Sequence, residues 1–465
     1  MIRRCHAYYG WYSPLFLASD ALDISSNSNH PIQKQYNARI QSLVYDYPSS
    51  CNEALASYDA YGLFRDDPAG AIREDVYLPA YAIDPMDVKE RDDALSIQST
   101  KNGHVVTVHV ADPSTVIPIH HPIAINASRH VQSLYLTQCS HSMLPKHLLD
   151  KRLGLENRIG LGGWSGPQAA VNALSLDIHV QGGKITSHRL YPSRLHQVIP
   201  LSYEQVDNVL DMRQSNHVQS WSIPGTNDTV AATHASFSAK DISNLKAISD
   251  SLGVPISNDP QVHCTPFHLS INRPSQAMKI VQTFMVASNA LVAQLAYDAN
   301  IPILFASTDP QHPAYATQWT TQPLPHTGIQ CDGLSSNGIP KHPLYTNFTS
   351  PLRKYTDFLV HHQLYAHYFQ CLSPPISSDW LNRYGQYVPV ASKKVRRTSN
   401  INRALYTRHI LSHHAPLSVQ VEKRIHNGSP LYYLPLLQMQ IHPIQPCHAT
   451  TATYHPNVRY GDALT

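Results

Sequence analysis

The chain has 465 residues, 42% hydrophobic and 14% charged, and its formal charge of +3 lies close to balance. That composition excludes a disordered, charge-rich chain and a generally cationic one, so any polyanionic ligand has to be met by a local basic surface. No uninterrupted apolar run approaches the roughly 18 residues that cross a bilayer, and a membrane partner is not expected. Residues 1–71 are polar, are broken by "SSNSNHP" and "RDDPAG", and read as an N-terminal extension. Their opening, "MIRRCHAYYGWYSPLFLASD", holds two early arginines and no acid before Asp20. It faintly resembles a mitochondrial presequence, and a plain ragged start stays equally open.

From "REDVYLPAYAID" onward the pattern turns to short apolar strands, and "HVVTVHVAD" places Val106, Val108 and Val110 on one face. "ALSLDIHV" and "KITSHRLY", joined by Gln181, Gly182 and Gly183, predict a hairpin. Further on, "SAKDISNLKAISDSLG" predicts a helix capped by Ser238, with Ile242, Leu245, Ile248 and Leu252 on its apolar face and Gly253 past its end. "PSQAMKIVQTFMVASNALVAQLAYDAN" predicts a longer helix entered at Pro274, with a stripe through Met278, Val281, Met285, Ser288, Val292 and Leu295. Strands come first and helices later, which favours an α+β arrangement over repeated βαβ units. The seven cysteines are scattered and form no CxxC pair, which reads as reduced thiols in an intracellular compartment without structural zinc. The histidine doublets at 120–121, 361–362 and 413–414 lack metal-ligand spacing and read as packed or surface residues.

One stretch stands apart. "YAIDPMDVKERDDALSI" places Asp84, Asp87, Glu90, Asp92 and Asp93 within ten positions flanked by apolar residues. Like charges on a half-buried segment are costly unless a cation offsets them, and Lys89 with Arg91 cannot balance five acids. A hard divalent ion, Mg²⁺ by preference, held by one or two carboxylates with water and phosphate would do so; a solvated acidic turn started by Pro85 is the competing reading. A second stretch, "YTNFTSPLRKYTDFLVHHQL", sets Thr349, Ser350, Arg353 and Lys354 at an expected helix start, where backbone N–H groups, hydroxyls and a guanidinium suit a phosphate. Acids for metal and a basic helix start for phosphate together suggest phosphodiester chemistry.

With these pieces in order, the chain resembles the ribonuclease II (RNB) family of 3′→5′ exoribonucleases. "AIDPMDVKERDDALSI" is similar to that family's acidic signature, "HVADPS" followed by "LYLTQCSHSMLP" to a second motif, and "TSPLRKYTDFLVH" to a third. The resemblance implies an α+β RNB catalytic domain over residues 72–366, a mixed or antiparallel sheet surrounded by helices. A C-terminal helical part would follow at 367–414 and an extension at 415–465 holding at most a degenerate OB remnant, with the flanking OB-fold modules missing or degenerate. It implies Mg²⁺, two ions during catalysis, on Asp84, Glu90, Asp92 and Asp93, with Asp92 the carboxylate most needed for chemistry and Arg353 on the scissile phosphate. RNA contacts would come from Tyr135, which stacks on the 3′ base, and from Tyr203, Gln282, Thr349, Ser350 and Lys354.

Single-stranded RNA would be shortened to nucleoside 5′-monophosphates, with the basic run "SKKVRRTSNINRALYTR" helping to hold it. The sequence departs from the family pattern where Glu90 replaces an aspartate, where Gln282 replaces a glutamate, and where His362 replaces an arginine. Those departures support the rival reading, a catalytically weak RNA-binding or scaffold protein; a phosphoesterase for small molecules is the third. Divergence around "HPIAINASRHVQSLYL" resembles most the fungal mitochondrial degradosome branch, which implies an RNA helicase as partner and a mitochondrial location, the cytoplasm being the alternative.

Overall fold

A computed structural model describes residues 66–411 except 86, 87, 89, 138, 156–169, 211–216, 223–236, 255, 257–260, 308–317 and 324–343, together with five strands between 417 and 454. Nearly all of the expected N-terminal extension, with its presequence-like opening, and the doublet at 413–414 lie outside the described residues.

Nine strands lead the domain: β1 (Glu74–Val76), β2 (Ala80–Asp84), β3 (Asp93–Thr100), β4 (Gly103–Ala111), β5 (Leu134–Tyr135), β6 (Ser140–His141), β7 (Val171–Gln181), β8 (Lys184–Leu195) and β9 (Val198–Ser202). Seven of them form one sheet in the order β1-β8-β7-β4-β3-β2-β9, while β5 and β6 pair separately. Its centre is antiparallel, and the two edge pairs, β1 with β8 and β2 with β9, are parallel. The β7–β8 turn is tighter than its sequence suggests. Gln181 already pairs with Lys184, leaving Gly182 and Gly183 as a two-residue loop with φ of 56° and 76°. Two positive φ values in succession give the turn whose twist matches a hairpin, and glycine adopts them without steric cost.

Period-two alternation decides what each face carries. Tyr81, Ile83, Leu95, Val106, Val108, Val110, Leu174 and Leu176 point to one side, into a core completed by α3 (Ala239–Leu252) and α4 (Gln276–Asp298). Ala80, Ala82, Ala94, Ala111 and Ala173 point to the other. Small side chains there let the opposite layer approach closely, and it consists of α1 (Pro122–His130), α5 (Tyr355–Gln363) and α6 (Ser378–Leu411). With helices on both faces, even the polar positions of the central strands are buried: His109 is held by Ser96 and Ser175 at 2.9 and 2.7 Å.

The helix α3 follows its sequence closely, with the Ser238 hydroxyl capping Asp241 N at 3.2 Å and Gly253 left-handed at φ 62°. In α4 the expected stripe holds in part. The helix is entered at Pro274 and capped by Ser275; Val281, Ser288 and Val292 of the stripe are buried, together with Ile280, Phe284, Ala287, Leu291 and Ala296, whereas Met278, Met285 and Leu295 are only partly covered. A helix enclosed on most sides has no single apolar stripe to read. By length and composition α4 could cross a membrane, yet it forms the centre of the packed core.

The helix α6 packs Leu381, Tyr384, Val388 and Ala391 onto the small-residue layer and sets Val395 against Leu134 of β5. Its Lys393, Lys394, Arg396 and Arg397 remain exposed. Gly385 lies where any Cβ would come within 2.2 Å of the Trp319 carbonyl, so only glycine lets that segment dock on the helix. Beyond α6, three strands form a meander and two more a separate pair.

Candidate active site

The acidic stretch is the connection between β2 and β3. Asp84 closes β2 beside Ser202 of β9, and Asp93 opens β3 beside Val110 of β4. Strand pairing therefore brings the carboxyl ends of β2, β4 and β9 to the start of β3. The Asp92 carbonyl accepts from Ala111 N at 2.7 Å and the Arg91 carbonyl from Leu155 N at 3.1 Å, which pins the end of the loop.

The second stretch arrives from 260 residues downstream. Leu352 N donates to Asp92 Oδ1 at 2.8 Å, and the Arg353 guanidinium lies with Nε 2.9 Å from Asp92 Oδ2. This second contact pairs charges without aligning the N–H on the oxygen, so Asp92 Oδ2 accepts no hydrogen bond among the described residues. Arg353 Nη2 donates to Ser350 Oγ at 3.2 Å, and Ser350 N donates to Asp357 Oδ1 at 2.8 Å. With 43% of its side chain exposed, Arg353 is the cation that a ligand would meet.

The expectation of an open helix start for phosphate needs correction. All nine residues of α5 are buried, Tyr355 N donates to the Val131 carbonyl, and the N–H groups of Ser350 and Leu352 are taken by carboxylates. Among the described residues of this loop, what remains for an anion is the Arg353 guanidinium.

Burial dominates the electrostatics. It pushes the Asp92 carboxyl well above its ordinary range, with Glu90 and Asp93 adding to the effect and Arg353 and Leu352 N opposing it. Asp93 is pushed up to about 7 by burial and by Asp84, against Arg353. For Arg353 itself, burial favours loss of the proton but is outweighed by Asp92, Tyr135, Asp93 and Asp84, so its pKa rises. Asp84 is paired with Arg91 at 3.1 Å. Among the described residues no three His, Cys, Asp or Glu side chains are gathered closely enough to hold a metal by themselves. The donors nevertheless fit a hard divalent cation: they are carboxylate oxygens, Asp92 Oδ2 has no hydrogen-bond donor among the described residues, and burial disfavours the charge on Asp92 and Asp93 unless a cation offsets it. Such an ion takes one or two protein carboxylates and completes its shell with water and phosphate.

Glu90 does something its spacing did not suggest. It is buried, its Oε1 accepts from Ser133 Oγ at 3.2 Å, and its Oε2 accepts from the Tyr135 hydroxyl. Tyr135 as a residue is 45% exposed. Tyr203 opens α2 (Tyr203–Val209), behind the Ser202 cap, and its hydroxyl is pushed upward by burial, Asp84 and Asp93. Thr349 and Ser350 are buried, Ser350 reaching the site through Arg353, and Lys354 bridges to Gln132 as the last residue before α5. Gln282 is half-buried on α4, and among the described residues nothing ties it to the acids. Sequence reasoning missed Ser133 and Asp357. An acid in the first turn of a helix was a signal for Asp357; Ser133 offered none.

A mixed sheet with carboxylates gathered at one end, facing a guanidinium from a distant loop, defines an α+β domain built around an anion and cation site. The chain belongs to the RNB family, whose model, described as "RNB domain", matches residues 73–321 and 311–370. It is 23% identical over 383 residues to "Ribonuclease II, chloroplastic/mitochondrial" of Arabidopsis thaliana, covering 78% of this chain and 45% of that protein. Thus it spans about half the length of that relative. In fold it is similar to Mycoplasma genitalium RNase R in complex with ribose-methylated single-stranded RNA, with a TM-score of 0.68, 17% identity, and coverage of 88% of this chain and 69% of the other. It is similar also to yeast Ssd1, described as a pseudonuclease, with a TM-score of 0.58, 14% identity, and coverage of 86% and 54%.

Proposed function

We propose that the protein is a Mg²⁺-dependent 3′→5′ exoribonuclease that shortens single-stranded RNA to nucleoside 5′-monophosphates. The observation that carries this reading is the meeting of Asp92 with Arg353 and Leu352 N beside Asp84 and Asp93, at one end of a sheet of the RNB family. Asp84, Asp92 and Asp93 would hold the metal, which supplies an activated water and charge stabilisation at the leaving oxygen when two ions are bound. Arg353 binds the scissile phosphate, its planar fork suited to two oxygens at once. Before substrate arrives, Asp92 holds the guanidinium close, and Ser350 and Asp357 fix the loop behind it. Tyr135 presents an exposed ring on which a 3′ base can stack, an interaction worth about 1–3 kcal/mol per base. Exposed Lys393, Lys394, Arg396 and Arg397 lie on α6, whose Val395 packs against Leu134 of β5, and would attract the RNA backbone. The Arabidopsis relative's name, which reads chloroplastic/mitochondrial, supports a mitochondrial location. An RNA helicase is the partner to look for.

The second reading is a weak or inactive RNA-binding protein. It is favoured by the engagement of both Glu90 oxygens and by the missing three-ligand group among the described residues. A 5′-labelled single-stranded RNA incubated with and without EDTA decides between them. Stepwise shortening from the 3′ end that EDTA stops, and that Asp92→Asn lowers by at least about 100-fold, is expected. Tight binding without shortening would make the second reading the right one.

A further inference from the structure

We infer that Glu90 is a positioning residue that fixes the Tyr135 ring relative to Arg353, and is not a metal ligand. The inference rests on the reading of the site as one that receives an RNA 3′ end. Two segments that carry the site meet at this carboxylate, and a third is joined to them. The acidic loop supplies Glu90 itself; Ser133, just before β5, and Tyr135, within it, supply hydroxyls that both donate to it. The Arg353 loop is joined to that same strand, since Ser133 N donates to the Arg353 carbonyl at 2.9 Å and Gln132 bridges Lys354. Ser133 Oγ also accepts from Met143 N at 2.9 Å, so the serine that grips Glu90 is itself held from β6's side.

The chemistry of Tyr135 fits this role. A tyrosine whose residue is 45% exposed has room to change its first side-chain torsion unless its far end is fastened. Here the hydroxyl is fastened to a buried carboxylate, a charge-assisted bond of the stronger kind. The exposed ring face is then presented at a set distance from the guanidinium, and both are bonded into one framework. Glutamate reaches the tyrosine hydroxyl with a side chain that is one methylene longer than that of aspartate. Asp84, Asp92 and Asp93 do not share this engagement with Tyr135, which separates Glu90 from the acids proposed for metal.

Binding measured in EDTA tests this without any metal. The probes are two 5′-fluorescein, 2′-O-methyl oligonucleotides, one with a normal base at its 3′ terminus and one abasic there. The variants are Glu90→Asp, Tyr135→Phe and the double substitution; Tyr135→Phe removes only a hydroxyl from an exposed ring, and an unchanged thermal melt verifies folding. Each single variant is expected to weaken binding of the normal oligonucleotide by about 10-fold, or 1.4 kcal/mol, with the double no weaker than either. On the abasic oligonucleotide the loss should disappear, since a purely structural defect would weaken both. Additive losses, equal losses on both probes, or no loss would overturn the inference. So would a Glu90→Asp variant that binds RNA normally in EDTA but shifts the Mg²⁺ midpoint of RNA shortening. Failure of wild type to shorten RNA at any Mg²⁺ concentration defeats the catalytic proposal alone and leaves the binding comparison standing.

Discussion

Arg353 separates the two jobs a guanidinium can do. Its Nε faces Asp92 while its Nη2 holds Ser350, so one planar group both balances a buried charge and keeps a face toward solvent. Lysine supplies the charge but neither the fork nor two fixed directions. Arg353→Lys is therefore expected to lower kcat for RNA shortening by about 100-fold while moving the melting temperature little, as the side chain is 43% exposed. A fall in melting temperature with activity retained would show instead that the arginine serves the fold. The acids were legible in the sequence because five of them fall within ten positions, a density that no solvated turn requires. What Glu90 does was not legible, because its partners Ser133 and Tyr135 lie over 40 residues away and only the folded chain brings them to it.

The short helix α5 works as a buried strut between the site and both faces of the sheet, and its first turn has to satisfy its own polar groups. Asp357 does this, accepting from Ser350 N at 2.8 Å and from the Thr356 hydroxyl at 3.0 Å. Removing that carboxylate orphans a buried N–H, which costs about 1–3 kcal/mol. Asp357→Ala should thus lower stability to denaturant by about that amount. It should also slow RNA shortening several-fold, since Ser350 positions Arg353; an effect on stability alone would detach the strut from the site. The ends of α3 could be read in advance from Ser238 and Gly253, because capping is local chemistry. The face of α4 could be read only in part, at Val281, Ser288 and Val292, because burial on most sides blurs the period, and α5, covered on all nine residues, hid its closed N-terminus in the same way.

Across the whole molecule, the buried acids make stability depend on pH and on metal together. Asp93 has a folded pKa of about 7 against an ordinary 3.8, so the folded state holds a proton that the unfolded state has already lost. Stability from this group is complete below about pH 4 and declines as pH rises toward 7. Three histidines pull the other way: His109 and His362, buried, and His130, half-buried, are lowered by loss of solvent to about 3, 4 and 4, so charging them costs stability as pH falls below 6.5. The net profile mixes these opposite slopes, and the contribution of Asp93 has to be read by difference. In EDTA, the melting temperature of Asp93→Asn minus that of wild type should grow between about pH 5 and pH 8, because Asp92 is common to both proteins and only wild type must also ionise Asp93. Added Mg²⁺ should raise the wild-type melting temperature more at the higher pH, where the carboxylate is already deprotonated, and should do little for Asp93→Asn. An equal Mg²⁺ shift in both proteins at both pH values would remove Asp93 from the metal site, and with it the reason for gathering these acids at the end of the sheet.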